Sequence, residues 1–292
     1  MSEDTEPASF CSLAVAFEKI RAMLQKNPES PALDAWILLQ HLTGLSRVQL
    51  MIRTDETLAP SEWKRLRKMA EDRCQGKPIA YITGVKDFWK HSFRVDESVL
   101  IPRPETELLL ERALGYLRSL SPDPAFLDVG TGSGCLALSL AAELPGAYAE
   151  AWDISPKALK LAESNQQQMG TGVCFRQQDA LCPSAWQGEA RFHLIISNPP
   201  YIAYREAETL PPSVLNWEPH EALFADREGL AFYETLAANG AGLLIGGRGC
   251  IMVEIGFQQA AAVRNIFEKH HWHHLEQGRD LAGLDRLIIA YR

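Results

Sequence analysis

The stretch "AFLDVGTGSGCLALSLAAEL", residues 125–144, constrains this chain more than any other. An apolar run ends in three glycines at alternate positions and passes straight into a helical pattern, the opening of a βα unit. Gly130, Gly132 and Gly134 permit a sharp turn and let a ligand approach the helix N-terminus, where unpaired N–H groups point outward. The same grammar then repeats. "AYAEAWDIS", "VCFRQQD", "FHLIIS", "GCIMVEIG" and "LDRLIIAYR" read as strands, with "PKALKLAESNQQQM", "REGLAFYETLAAN" and "FQQAAAVRNIFEKH" as helices between them. Such alternation predicts an α/β domain: a mostly parallel sheet with helices on both faces. Ligands of such sheets sit at the carboxyl ends of the strands, where strand order reverses.

The loop narrows the ligand. A dinucleotide fingerprint needs glycine at 135, where this chain has Cys135, and a phosphate loop needs a lysine that is absent. The spacing suits a carboxylate or ribose against the loop rather than a pyrophosphate. Asp153 ends the second strand and can accept hydrogen bonds from both ribose hydroxyls. It could instead cap the helix opening at Pro156, although Ser155 fills that role better. Asp179, with Ala180 beside it, ends the third strand within reach of an adenine amino group, or else caps a turn. Together these strand ends point to S-adenosylmethionine.

The fourth strand ends in "SNPPY". Pro199 and Pro200 have no N–H, so their carbonyls stand without a competing donor, and Pro199 forces Asn198 to be extended. The Asn198 side-chain oxygen and the Pro199 carbonyl can then hold a planar NH2 by both hydrogens, with Tyr201 against its plane. That arrangement fits methyl transfer to an amide or exocyclic amine. The lone pair of such a nitrogen is delocalised, with an amide rotation barrier of roughly 18–20 kcal/mol, so aiming it and stabilising its developing charge are what it needs.

Upstream, the chain is helical. "SLAVAFEKIRAMLQK", "SPALDAWILLQHLTG" and "SEWKRLRKMAEDRCQG" predict three helices, with Ser30 and Ser61 as N-caps, Gly44 and Gly76 just past the ends, and Trp63, Leu66 and Met69 turned inward. "YITGVKDFWKHSFRVDESVLIP" reads as a two-stranded hairpin, and "RPETELLLERALGYLRSL" as a helix with Glu105 and Glu107 in its acidic first turn. The predicted divisions are a helical docking domain over 1–78, a hairpin linker over 79–103 and the α/β domain over 104–292.

A formal charge of −8 disfavours nonspecific nucleic-acid binding. Residues 61–90 nevertheless carry eight basic and four acidic side chains, a local +4 that reads as a solvated helix face or a docking patch. Six scattered cysteines suit a reducing compartment. The acidic start is neither a secretory signal nor a transit peptide, and no apolar run is long enough to span a bilayer, so the expected location is the cytoplasm. "HHWHH" (270–274) fits a helix end better than a metal site, and no metal is expected.

Taken in order, "QGKPIAYITGVKDFW", "VLIPRPETELL", "LDVGTGSG", "LIISNPPYI", "EPHEAL", "EIG" and "LDRLIIAYR" resemble the HemK/PrmC family of release-factor glutamine methyltransferases. The resemblance implies a class I S-adenosylmethionine-dependent methyltransferase domain, Rossmann-like with a seven-stranded sheet, behind a small helical bundle and a hairpin. It implies methylation of the side-chain amide nitrogen (N5) of the Gly-Gly-Gln glutamine in bacterial class I peptide chain release factors, by a monomer that needs no nucleic acid. Carried over by motif, Gly130, Thr131, Gly132, Ser133, Gly134, Asp153, Ile154, Asp179 and Ala180 would meet the cofactor, Asn198 both cofactor and glutamine, and Pro199, Pro200 and Tyr201 the glutamine. Arg103 and Thr106 would wall the site, unless Arg103 pairs with Glu105 or Glu107. Ala180 stands where many relatives have an aromatic residue, and "LFADREGL" lacks their Gly-Gly. The rival is an N6-adenine DNA or RNA methyltransferase, since a flipped base offers the same NH2.

Overall fold

The computed structural model describes residues 11–25, 30–120, 123–189, 191–247 and 249–292; the acidic start and the end of the first predicted helical stretch lie outside them. The chain forms two compact units, one running to Gly84 and taking in Pro212–Trp217, the other made of Val85–Pro211 and Glu218–Arg292.

In the first unit a two-residue strand β1 (Cys11–Ser12) leads into α1 (Leu13–Leu24), α2 (Pro31–Thr43) and a short α3 (Arg47–Ile52). Strand β2 (Thr57–Leu58), α4 (Pro60–Cys74) and α5 (Ile79–Thr83) follow. Ile20 and Leu24 of α1, Leu38 and Leu39 of α2, and Leu66 and Ala70 of α4 form one core, and Trp63 and Met69 pack against it, so Trp63, Leu66 and Met69 turn inward as expected. Gly44 ends α2 in left-handed backbone, as its position required. Ser30 stands at the N-cap of α2 without a side-chain bond, so Pro31 at the first position carries that start. Ser61 is not a cap: α4 begins at Pro60, and Glu62 reaches back to the Ala59 N–H. Residues 79–83, read as the start of the hairpin segment, are helical because Pro78 opens a turn that Gly84 closes. Among the basic residues of 61–90, Arg73 is buried in an ion pair with Asp34 at 2.7 Å, while Lys64, Arg65, Arg67 and Lys68 are exposed.

The second unit opens with a hairpin, β3 (Val85–Phe88) and β4 (His91–Arg94), followed by α6 (Thr106–Leu120). Then come β5 (Ala125–Val129), α7 (Cys135–Glu143), β6 (Tyr148–Asp153), α8 (Pro156–Met169), β7 (Val173–Gln177) and β8 (Leu194–Ser197). After two single-turn pieces, α9 (Pro212–Leu215, in the first unit) and α10 (Asp226–Gly229), the unit finishes with α11 (Ala231–Asn239), β9 (Cys250–Glu254), α12 (Ala260–Lys269), β10 (His274–Arg279) and β11 (Asp285–Tyr291).

The sheet has seven strands in the order β10-β11-β9-β8-β5-β6-β7, parallel except where β11 pairs with β9 and β10 with β11. Every residue of β5, β8 and β9 is buried, as expected for strands covered on both faces. Alternation divides their side chains between two cores. Leu127, Ile195, Ile251 and Val253 face α11 and α12, whereas Phe126, Leu194, Ile196 and Met252 face α6 and α7. The chain leaves β5 toward β6 and β7, then returns to build β8 and β9 on its other side. Strand order therefore reverses beside β5, at the carboxyl ends of β5 and β8.

Two readings of local structure change. The helix expected from Arg227 starts at Ala231, because Arg227 and Glu228 take left-handed backbone (φ 55° and 59°). The histidine run does not simply end a helix: His270 caps α12, His271 turns the chain at φ 65°, and His274 begins β10, the edge strand that the motif reading left unplaced.

Candidate active site

At that reversal lies a cleft of about 290 Å³ within the α/β unit. Its walls include Arg103, Thr106, Gly130, Thr131, Gly132, Ser133, Asp153, Ile154, Asp179, Ala180, Asn198 and Pro200, so four strand ends and the segment before α6 converge there. Gly134, Pro199 and Tyr201 are not among the walls.

The glycine loop works at two levels. A Cβ added to Gly130 (φ +75°) or Gly132 (φ +55°) would meet nothing within 4 Å, so these residues leave the cleft floor open. Gly134 does something else. A Cβ there would lie 2.8 Å from Leu138 Cδ1 and 3.2 Å from Ala162 Cβ, so this glycine lets α7 and α8 approach. The loop is held from below: the N–H groups of Gly130 and Thr131 donate to the Trp152 carbonyl at 2.8 and 2.9 Å. The Thr131 hydroxyl donates to Asp128 at 2.7 Å. Burial pushes the Asp128 carboxyl up to about 7.

Asp153 is a clamp as well as a wall. One oxygen accepts the Gly132 N–H at 2.8 Å and the other the Ser155 N–H at 2.9 Å, while the Ser155 hydroxyl caps α8. Each carboxylate oxygen keeps a further acceptor site for a ligand. Burial raises this carboxyl above its ordinary range, against the pull of those backbone donors. Asp179 caps its own turn by accepting the Leu181 N–H at 2.9 Å, and it also lines the cleft. Beside it Ala180 is buried, its carbonyl taking the Trp186 indole N–H at 2.9 Å, so the apolar surface at the mouth comes from Ile154 and Leu181.

The Asn198 amide nitrogen donates to the Thr106 hydroxyl at 3.0 Å, which turns its side-chain oxygen away from Thr106. Glu254, at the end of β9, is buried, and its burial pushes the carboxyl up to about 7, against the pull of Thr106 and Arg286. Pro199 is buried. Tyr201 is half-buried and packs against the core below α11. Burial, with Glu254 beside it, pushes its phenol up to about 12. The Tyr201 carbonyl accepts from Gln259 at 2.8 Å. Arg103 pairs with neither Glu105 nor Glu107. Its partner is Glu218, whose other oxygen accepts the Ile101 N–H at 3.1 Å.

Glu218, Glu254 and Gln259 were not singled out residue by residue from the sequence. "EPHEAL" and "EIG" flagged the first two only as parts of motifs, since long-range pairs leave no local spacing to read.

Residues 16–84 match the family model of the PrmC N-terminal domain, and residues 106–211 that of the methyltransferase small domain. The release factor glutamine methyltransferase of Bordetella pertussis is 38% identical over 268 residues, covering 92% of this chain and 97% of that protein. That of Burkholderia pseudomallei is 40% identical over 286 residues, covering 94% and 95%. Among solved structures, the hMettl16 catalytic domain in complex with an RNA hairpin superposes with a TM-score of 0.54 at 16% identity, over 81% of this chain and 84% of that one, and shares the fold. The fold, the cleft and the two full-length relatives agree: this chain belongs to the release factor glutamine methyltransferase family.

Proposed function

We propose that this protein transfers a methyl group from S-adenosylmethionine to the side-chain amide nitrogen of the glutamine in the Gly-Gly-Gln motif of bacterial class I release factors. The observation that carries the reading is the Asn198 amide, held through its nitrogen by Thr106 at the wall of a cleft floored by the glycine loop. The residues present fit the cofactor: Gly130 and Gly132 leave a cradle that any side chain would fill. Asp153 keeps acceptor capacity for ribose hydroxyls, and Ile154, Asp179 and Ala180 border the space for a flat base. When bound, S-adenosylmethionine supplies an electrophilic methyl group on a sulfonium.

The chain's own residues do the rest. The Asn198 oxygen and the Pro199 carbonyl accept the two hydrogens of the glutamine amide, which orients its nitrogen and favours the positive charge that grows there. Prolines at 199 and 200 stiffen this pair of acceptors. The amide proton leaves after transfer, so no strong base is required. Arg103, fixed by Glu218, forms the wall on the side of the segment before α6.

Residues 1–78 serve as a docking domain for the release factor, with the exposed Lys64, Arg65, Arg67 and Lys68 as its contact. Residues 79–103 link them to the catalytic residues 104–292. The reading entails a monomer acting in the cytoplasm. The test is radiolabelled methyl transfer to purified release factor with the Gly-Gly-Gln glutamine intact or replaced. Labelling that persists after replacement, or that falls on DNA or RNA instead, overturns it in favour of the adenine reading.

A further inference from the structure

Helix α8 buries one amide among apolar neighbours. Asn165 is 1% exposed and lies on the face that also buries Ala158, Leu159 and Ala162. Asparagine is a poor helix residue, and a buried amide is costly unless its hydrogen bonds are made. Here the oxygen and both amide hydrogens are used, and every bond goes to main chain. The side-chain oxygen accepts the Arg94 N–H at 2.8 Å. That contact fixes the orientation of the amide, because only the oxygen can accept. The nitrogen then donates to the Arg94 carbonyl at 3.1 Å and to the Ser133 carbonyl at 2.9 Å.

Three parts of the α/β unit therefore meet at one side chain. Ser133 belongs to the glycine loop and lines the cleft. Its neighbour Gly134 lies close against Ala162, three residues before Asn165, so the loop leans twice on one face of α8. Arg94 ends β4, and from it the chain passes into residues 95–103, of which Ser98, Val99, Leu100, Pro102 and Arg103 line the cleft. The hairpin itself, 85–94, contributes nothing to the walls.

We propose that Asn165 is a positioning residue that ties the glycine loop to the hairpin and so sets the cleft wall 95–103 against a bound cofactor. The inference rests on the S-adenosylmethionine reading of the cleft. A loop held in place by its ligand keeps the Ser133 carbonyl where the Asn165 amide needs it. The same amide then keeps Arg94, and with it the start of the wall, in place. Such coupling is reciprocal. Occupancy of the loop should steady the hairpin, and loss of the amide should weaken cofactor binding. Two other bonds join the hairpin to α8 without reaching the loop, and both are exposed. The Arg94 guanidinium donates to the Ser164 hydroxyl at 2.8 Å, and the Gln168 amide donates to the Ser92 carbonyl at 3.4 Å. They supply the control.

The test is backbone hydrogen exchange with and without S-adenosylhomocysteine, beside calorimetry with the same ligand. In the wild type the ligand should slow exchange across residues 85–94, although they lie outside the cleft. The Ser164→Ala/Gln168→Ala double variant should keep that protection and bind within about twofold of the wild type, as exposed substitutions do. Asn165→Ala should bind roughly 10-fold more weakly, since a buried carbonyl is left without its donor. The ligand should no longer slow its hairpin, and the KM for S-adenosylmethionine should rise by the same factor.

Wild-type hairpin exchange that ignores the ligand overturns the inference, and that result needs no variant to fold. Hairpin protection that survives in Asn165→Ala overturns it equally. A wild type that binds no S-adenosylhomocysteine overturns the cofactor reading and the inference together. One that binds it and protects the hairpin, yet methylates no glutamine, overturns the glutamine reading and leaves the coupling standing.

Discussion

Replacing Gly229 with alanine should disable the α/β unit's active site from outside the cleft. Gly229 has φ +79°, and a Cβ built on it would lie 2.1 Å from the Tyr201 carbonyl oxygen and 2.7 Å from its carbon. Real Cβ atoms essentially never come closer than 3.0 Å to such neighbours, so the two backbones must part by about 1 Å. The obstacle is main chain and cannot rotate aside. Gln259, which holds the same carbonyl, sits 3.0 Å from the added carbon and blocks one route of escape. Two costs follow. Left-handed backbone costs an L-residue about 1–2 kcal/mol, and a shift of about 1 Å at a positioning segment costs on the order of 100-fold in rate.

Gly170→Ala separates the two. Gly170 ends α8 with φ +69° and nothing within 4 Å of an added Cβ, so it carries the conformational cost alone. Both variants should melt lower than the wild type, by a few degrees for each kcal/mol in a unit of this size. Only Gly229→Ala should also lose about 100-fold in single-turnover methyl transfer per folded molecule. Wild-type turnover by folded Gly229→Ala would refute the claim that this contact sets the position of residues 198–201.

Two further perturbations test the packing of each unit. Asp34→Ala leaves Arg73, 8% exposed, without its carboxylate and should cost roughly 3–5 kcal/mol in chemical denaturation of the full chain; a loss below about 1 kcal/mol would mean that water reaches the guanidinium. Glu143 receives Lys90, the Trp89 indole and Arg118, which hold its carboxyl down at about 2. Because the folded state lowers this pKa, its stabilisation is present above the ordinary carboxylate range and fades as pH falls from about 4.5 toward 2. The difference in melting temperature between wild type and Glu143→Gln should therefore close over that window, and a constant difference would show that the charge is not what these partners recognise.

The parts of the fold set by local periodicity were readable. Helix α8 falls on Pro156–Met169 because Ser155, Pro156 and Gly170 punctuate it, and β5, β8 and β9 stand out as apolar runs. The misread parts are those that tertiary contacts decide. "REGL" has helical composition, yet Arg227 and Glu228 adopt left-handed backbone in the turn that brings Gly229 against Tyr201, and no propensity records that demand. Strand β10 was lost because "HHLEQGR" is polar, as an edge strand can be when its one neighbour, β11, supplies the pairing. In the site, the strand-end residues followed from topology. The partners that hold them did not, since Asn198 meets Thr106 across 92 positions and Arg103 meets Glu218 across 115.

Those distant partners explain how a segment without ladder bonds can be stiff. Pro199 and Pro200 remove two donors, which frees their carbonyls from competition but also leaves residues 198–201 without the bonds that continue a strand. The structure restores order at both ends. Thr106 fixes the Asn198 side chain, Gln259 holds the Tyr201 carbonyl, and Gly229 lies beneath that carbonyl. Just beyond, Ile202 bonds Leu223 and Ala225 through its backbone. Gln259 is itself held by the Gly256 N–H at 3.0 Å, so the brace runs back to the loop that follows β9. The carbonyl at Tyr201 is thus consumed in building the segment, and under the proposed function Asn198 and Pro199 are the acceptors left for an amide. A substitution at Thr106, Gly229 or Gln259 should therefore act on the geometry of the same few atoms, and pairs of such changes should combine less than additively.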